Sequence, residues 1–412
     1  MFVNKIVRLN PLNNNKLKIV NDPVHGFITI PNELIYQIIQ HPYFQRLRRI
    51  SQTGLTEMVY PGARHSRFHH ALGCMHLMQK ALNILKRKNV EITSEEENAA
   101  LIAILLHDLG HGPFSHSLEH SIINGSHHEE ISLRLMEELN QIFDQKLTLA
   151  IQIFKGQYPK KFLTQLVSSQ LDCDRMDYLK RDSFYSGVVE GNINPERIIS
   201  MMNVSDNELV IEAKGIPSVE KFLIARMFMY MQVYMHKKSF TAENFLINVL
   251  RRAKELTRKG EHLFATSAFK YFLEDNEQGS LSKEGLEIFT HLDDSDVLSA
   301  IKEWQYHDDF ILSKLSKNII QRTLPKSYLM DNKLTDEEIL FEKNRVKEAL
   351  EIEDASYFVE QTIIKIVPYE KSKSPIKVLY KNGDVKELSC SGKSLLTQFL
   401  GQEITKYHYH SV

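Results

Sequence analysis

Eight consecutive apolar residues, Ala99 to Leu106, run without a break into His107-Asp108. The run is too short to cross a bilayer, and apolar residues at helical spacing recur upstream at Leu34, Ile35, Ile38 and Ile39 and again from Leu72 to Leu85. It therefore predicts a buried core helix whose inner end carries an imidazole and a carboxylate. An ionised carboxylate in such a place is costly unless a cation or a hydrogen-bonding partner compensates it. A chain built this way is expected to be mainly α and to hold charge inside its core.

The helical reading extends from Glu33 to about Leu324, with capping boxes expected at Ser94 with Glu97 and at Ser126 with Glu129. Before it, Lys16 to Ile30 alternate around Asp22-Pro23 and Gly26, which predicts a small N-terminal β-hairpin that caps the core. After Pro325 the pattern changes. A charged helix over Asp336 to Glu353 leads to strand-like runs at Thr362 to Val367, Ile376 to Tyr380 and Val385 to Leu388, with an Asn382-Gly383 tight turn before the last. The expected division is a helical domain with its hairpin, 1–325, and a C-terminal α+β domain, 326–412. Lys+Arg number 51 against Asp+Glu 52, so no whole-chain field favours nucleic acid or an anionic membrane. Cys74, Cys173 and Cys390 are odd in number and far apart, which argues against a disulfide framework. The start MFVNKIVRLN lacks a signal-peptide pattern, and a cytoplasmic protein is expected.

The chain carries 18 histidines, several in two short stretches. His70, His107, Asp108 and Asp174 come from three segments. Singly, each reads as a satisfied core histidine or a helix cap; jointly, two imidazoles and two carboxylates suit one divalent ion, Mn, Fe, Zn or Mg, with positions open for water and substrate. In LDCDRMDYLKRD, Asp174, Asp177, Tyr178, Arg181 and Asp182 share one helical face and are expected to line a wet cavity. Arg226, Tyr230, Tyr234 and Lys237 form a similar stripe on a later helix, pairing cations for phosphate with rings for a base or sugar. Gly110, Gly112 and Pro113 end the core helix, so a loop can return His111 and His116 towards the ion. His116 and Glu119 are spaced to touch, which suits a proton donor. His128 lies in the first turn of a capped helix, and His120 and His127 read as exposed.

Together, YPGARHSRFHHALG, HDLGHGPFSH, HHEE and LDCDRMDYLKRD resemble the motifs of the HD-domain deoxynucleoside triphosphate triphosphohydrolases, the dNTPase and dGTPase family. The similarity covers Lys16 to about Asn248 and is greatest to the branch that includes the vertebrate sterile-alpha-motif and HD-domain protein. It implies an HD-domain helical core in which His70, His107, Asp108 and Asp174 hold the ion. It further implies that His111, His116 and His128 lie at the phosphates and the scissile bond, with Glu119 as the acidic partner of His116. Arg67, Arg175 and Arg226 match phosphate-contacting cations. Tyr178, Asp182 and Tyr234 match residues on the sugar and its 3'-hydroxyl, and Gln52 a contact at the sugar edge. The implied reaction cuts between the 5'-oxygen and the α-phosphorus, releasing a deoxynucleoside and triphosphate, with a further Mg accompanying the substrate.

The resemblance also implies a homo-oligomer, dimer or tetramer, and an allosteric nucleotide among the partners. Gln45, Arg46 and Arg48 agree with the effector segment of the vertebrate relative, but Gln40 stands where that relative has a guanine-reading carboxylate, which argues against activation by GTP. Thr53 replaces an apolar neighbour of the pocket and Tyr230 a histidine. The basic run Arg46 to Arg49 is expected to serve subunit or effector contacts. Two alternatives stay open: an HD phosphohydrolase acting on a monophosphate, an alarmone or a cyclic nucleotide, and a non-hydrolytic nucleotide sensor that binds nucleic acid.

Overall fold

The computed structural model describes residues 18–114, 127–274, 280–367, 369, 375–390 and 403–412. The chain opens with a two-stranded antiparallel hairpin, β1 (Lys18–Asp22) and β2 (Gly26–Ile30), in register from Lys18 opposite Ile30 to Asp22 opposite Gly26. Helix α1 (Glu33–Gln40) follows, capped by Asn32, whose side chain accepts from the Ile35 amide, and it buries Ile35, Ile38 and Ile39. The core is built on α2 (Arg67–Arg87), which packs against α3 (Ser94–Leu106) and α5 (Cys173–Ser186), with α4 (His128–Ile142) before α5.

In α3, every residue from Ala99 to Leu106 is at most 5% exposed. An unbroken apolar run of this kind is stable as a helix only when other elements cover it all round. Its capping box lies one residue earlier than expected: the Thr93 hydroxyl accepts from the Glu96 amide and Glu96 accepts from the Thr93 amide, so Ser94 is already the first helical residue. The second expected box falls on Ser126, outside the described residues, and α4 has His127 as its N-cap with no side-chain bond.

Helix α6 (Ile216–Met229) passes into a π-turn at Tyr230–Tyr234 and stops before His236, which caps α7 (Lys237–Arg258) by accepting from the Lys238 amide. Helices α8 (Asp294–Trp304) and α9 (Phe310–Ile320) pack together, and α9 also packs on α7. Within the predominantly helical region there is also a hairpin, β3 (Met202–Ser205) and β4 (Glu208–Glu212), turning at Asp206-Asn207, both with positive φ.

The C-terminal part contains β5 (Lys326–Met330), α10 (Asp336–Leu350), β6 (Val359–Ile366), β7 (Lys377–Leu379), β8 (Val385–Glu387) and β9 (Ile404–Ser411). Its strands enter two sheets, ordered β3-β4-β7-β8 and β5-β9-β6. Because β7 pairs in parallel with β4, sheet hydrogen bonds cross the boundary expected at 325/326. The architecture is mainly α with small sheets, and among the described residues no helix is long and apolar enough to cross a membrane. Cys74 and Cys173 are free and buried.

Candidate metal centre

Helix α2 supplies His70, the end of α3 supplies His107 and Asp108, and the first turn of α5 supplies Asp174, held there because Asp172 caps the helix by accepting from the Arg175 amide. His70 Nε2 lies 3.1 Å from Asp174 Oδ1 and 3.7 Å from Asp108 Oδ2. His107 Nε2 lies 3.4 Å from Asp108 Oδ1 and 3.5 Å from Asp174 Oδ1. Two donors each ~2.1 Å from a shared ion, at ordinary coordination angles, stand ~3.0–3.6 Å apart; the separations of 3.1, 3.4 and 3.5 Å fall in that range, and the 3.7 Å from His70 to Asp108 lies just beyond it.

Both rings are oriented for this. His107 Nδ1 donates to the Ile104 carbonyl at 2.6 Å, which leaves Nε2 as a buried lone pair with no hydrogen bond. His70 Nδ1 donates to Asp177 Oδ2 at 2.8 Å and likewise presents Nε2 to the carboxylates. A divalent cation fits this donor set. Cys74 also approaches the group, but its Sγ is 3.5 Å from His70 Nδ1 and 3.6 Å from Nε2. Near-equal distances put the sulfur midway between the two nitrogens and off the Nε2 lone pair, where it does not share an ion with that nitrogen.

The electrostatics point the same way. Burial alone would raise the Asp174 carboxyl, yet the neighbouring His107 and His70 imidazoles hold it below its ordinary value. Burial would lower His107, yet Asp108 and Asp174 raise it. Without an ion the cluster thus draws protons onto its imidazoles, the positive charge that a cation would otherwise supply. His111 differs: burial, aided by Arg67, pushes it down to about 3, so it stays neutral. Its ring stacks on His128 at 4.0 Å, and its Nε2 is 3.3 Å from Asp108 Oδ1. Arg67 pairs with the other Asp108 oxygen.

Beside this centre, Tyr234 donates to Asp182 Oδ2 at 2.6 Å and His65 Nε2 donates to Oδ1 at 2.6 Å. The Tyr234 ring meets Tyr178 and Tyr230 edge-on at 6.2 and 5.2 Å. Arg226 lies over Tyr230 and donates to Gln170 at 3.2 Å. Arg175 Nε donates to Asp172 at 3.2 Å while its Nη1 is buried without a hydrogen bond, as is Gln52 Oε1. His116 and Glu119 lie outside the described residues.

Three expectations need correction. Asp177 and Arg181 do not face a wet cavity: both side chains are fully buried, with Arg181 Nε and Nη2 donating to Asp177 and Nη1 to Asp22. A charged stripe can enter the core when its charges compensate one another. Lys237 does not continue the Arg226, Tyr230, Tyr234 stripe, because the π-turn and the His236 cap end that helix; it is exposed at the start of α7. Arg46 is not a surface contact either. It is buried and donates to the carbonyls of Leu109, His111 and Leu292, anchoring the loop after α3, whereas Arg48 is exposed over the Phe68 ring.

His25, Asp22 and His65 are not among the expected site residues, yet they reach the centre through Asp177, Arg181 and Asp182. For His65 a signal existed, its place inside YPGARHSRFHHALG; for His25 the only one was the Asp-Pro and Gly turn around it.

The HD domain family matches residues 67–182, and the HD associated region matches 193–401. YwfO of Bacillus subtilis is 35% identical over 389 residues, covering 90% of this chain and 87% of that protein. Human SAMHD1, a deoxynucleoside triphosphate triphosphohydrolase, is 30% identical over 294 residues, covering 61% of this chain, which spans 47% of that longer protein. The crystal structure of a phosphohydrolase from Bacteroides thetaiotaomicron superposes with a TM-score of 0.93 at 46% identity, covering 96% of this chain and 100% of the other.

Proposed function

The chain belongs to the HD-domain family, in its dNTPase-like branch, and we propose that it hydrolyses deoxynucleoside triphosphates to a deoxynucleoside and inorganic triphosphate. The observation that carries this reading is the adjacency, along α5, of Asp174 facing two imidazole Nε2 atoms and Asp182 clasped by Tyr234.

In this reading His70, His107, Asp108 and Asp174 hold one divalent ion, Mn, Fe, Zn or Mg. When bound, such an ion supplies Lewis-acid stabilisation to phosphate oxygens and makes water a better nucleophile. Arg67, Arg175 and Arg226 bring fixed positive charge to the triphosphate, whose departure is chiefly a matter of positioning and charge stabilisation. Asp182 accepts the 3'-hydroxyl of the sugar, and its carboxylate is aimed by Tyr234 and His65. The Tyr178 and Tyr234 rings pack on the sugar and exclude a 2'-hydroxyl, with Gln52 at its edge and Tyr230 behind Tyr234. Neutral His111 and its stacking partner His128 lie at the phosphate oxygens. His116, oriented by Glu119, protonates the departing 5'-oxygen. Lys237, exposed beyond the π-turn, has the weakest claim among the substrate residues. The reading extends to a cytoplasmic homo-oligomer, dimer or tetramer, with its functional division at 325/326.

Incubation of the purified chain with each dNTP, each rNTP and Mn tests it. Inorganic triphosphate with a deoxynucleoside is expected, and orthophosphate or pyrophosphate as sole phosphate product would overturn it.

A further inference from the structure

We propose that the N-terminal hairpin is part of the metal centre: His25 and Asp22 are positioning residues that fix the His70 ring through Asp177 and Arg181. This rests on the ion-binding reading above. The hairpin lies outside both matched segments, 67–182 and 193–401.

The Asp177 carboxylate receives four donors. Oδ1 accepts from His25 Nε2 at 2.7 Å and Arg181 Nη2 at 3.0 Å; Oδ2 accepts from His70 Nδ1 and Arg181 Nε, both at 2.8 Å. Four bonds use all the lone-pair sites of an ionised carboxylate, so its rotation is fixed from every side. The donors come from three elements, the β1–β2 turn, α2 and α5.

The turn is shaped to deliver His25. Asp22 Oδ1 accepts from the amides of Val24 and His25 at 2.9 and 2.8 Å, and Gly26 has φ +74°, which a side chain would strain. Although β1 and β2 are otherwise half exposed, the His25 side chain is 0% exposed. Asp22 Oδ2 accepts from Arg181 Nη1 at 2.7 Å, which holds the guanidinium in the plane from which it grips Asp177. The α2–α5 crossing is cut to fit: a Cβ on Gly73 would stand 1.9 Å from Asp177 Oδ1 and 2.4 Å from Arg181 Nη2. Two carboxylates and one guanidinium leave negative charge behind His70, which strengthens Nε2 as a donor to a cation.

The test uses the full chain loaded with Co²⁺, reading its visible absorption band and its affinity by chelator competition, with the melting temperature of the metal-free protein as the folding check. His25→Phe and Asp22→Asn are expected to weaken Co²⁺ binding by about 10–100-fold and to shift the band. His25→Gln, whose amide N–H can replace the lost donor, should restore most of the affinity. If His25→Phe does not fold, Asp22→Asn with His25→Gln decides. Native affinity and spectrum in His25→Phe or Asp22→Asn, while Asp174→Ala loses the ion, would overturn the proposal. Retention of Co²⁺ by Asp174→Ala would instead overturn the ion assignment on which it stands.

Discussion

Tyr234 donates its hydroxyl to Asp182 Oδ2 at 2.6 Å, while His65 holds the other oxygen of the same carboxylate at 2.6 Å. The carboxylate is thus clasped between the π-turn after α6 and the residue two before α2, and its direction depends on both. His65 is itself fixed by stacking on Tyr185 at 4.5 Å and 16°.

Removing one clasp should loosen the sugar contact without disturbing the ion. Tyr234→Phe keeps the ring and deletes a hydrogen bond to a charged group, worth about 1.5–3 kcal/mol. Steady-state kinetics on a dNTP should show kcat/KM lower by roughly 10–100-fold, with metal content unchanged. Unchanged kcat/KM would remove Asp182 from substrate recognition.

Gly73 has no room for a methyl group, and what it would strike is a buried ion pair. Gly73→Ala must push Asp177 from Arg181, and breaking such a pair costs about 3–5 kcal/mol. Thermal unfolding should show a clear drop in melting temperature together with loss of bound metal. Native stability in this variant would mean that the α2–α5 crossing is looser than described.

Acid should weaken the C-terminal sheet. His408 and His410 on β9 are buried, and burial pulls them down from 6.5 to about 4 and about 3. A base whose folded value is depressed contributes full stability above its unfolded value and loses it as pH falls towards the folded one. Stability should therefore decline from about pH 6.5 to about pH 4 through His408 and on to about pH 3 through His410, by up to ~1.4 kcal/mol per pH unit for each histidine. His410→Phe should flatten that decline, as measured by denaturant unfolding across the range; an unaltered slope would show that His410 does not drive it.

Much of this molecule is legible in its sequence. His107-Asp108 follow a run so apolar that the helix end has to be interior, and Asp174 begins a helix whose polar residues recur at a core spacing. That logic fails where one pattern has two physical solutions. A stripe of Asp177 and Arg181 reads as a wet face or as mutually neutralised core charge, and the deciding partner, Asp22, sits in a hairpin far away in the chain. The stripe through Lys237 assumes unbroken α-helix, whereas the π-turn at Tyr230–Tyr234 shifts the phase. The β3–β4 hairpin is short, and its Asp206-Asn207 turn is its only local signal. In β9 the buried positions are the consecutive His408, Tyr409 and His410, so no apolar alternation marks the strand.

The central claim is that four side chains from three helical segments share one cation. Elemental analysis of the chain purified with Mn²⁺, beside Asp174→Ala and His107→Ala prepared identically, tests it most directly. The account predicts about one ion per chain in the native protein and little in either variant. Full native stoichiometry in both variants would contradict it.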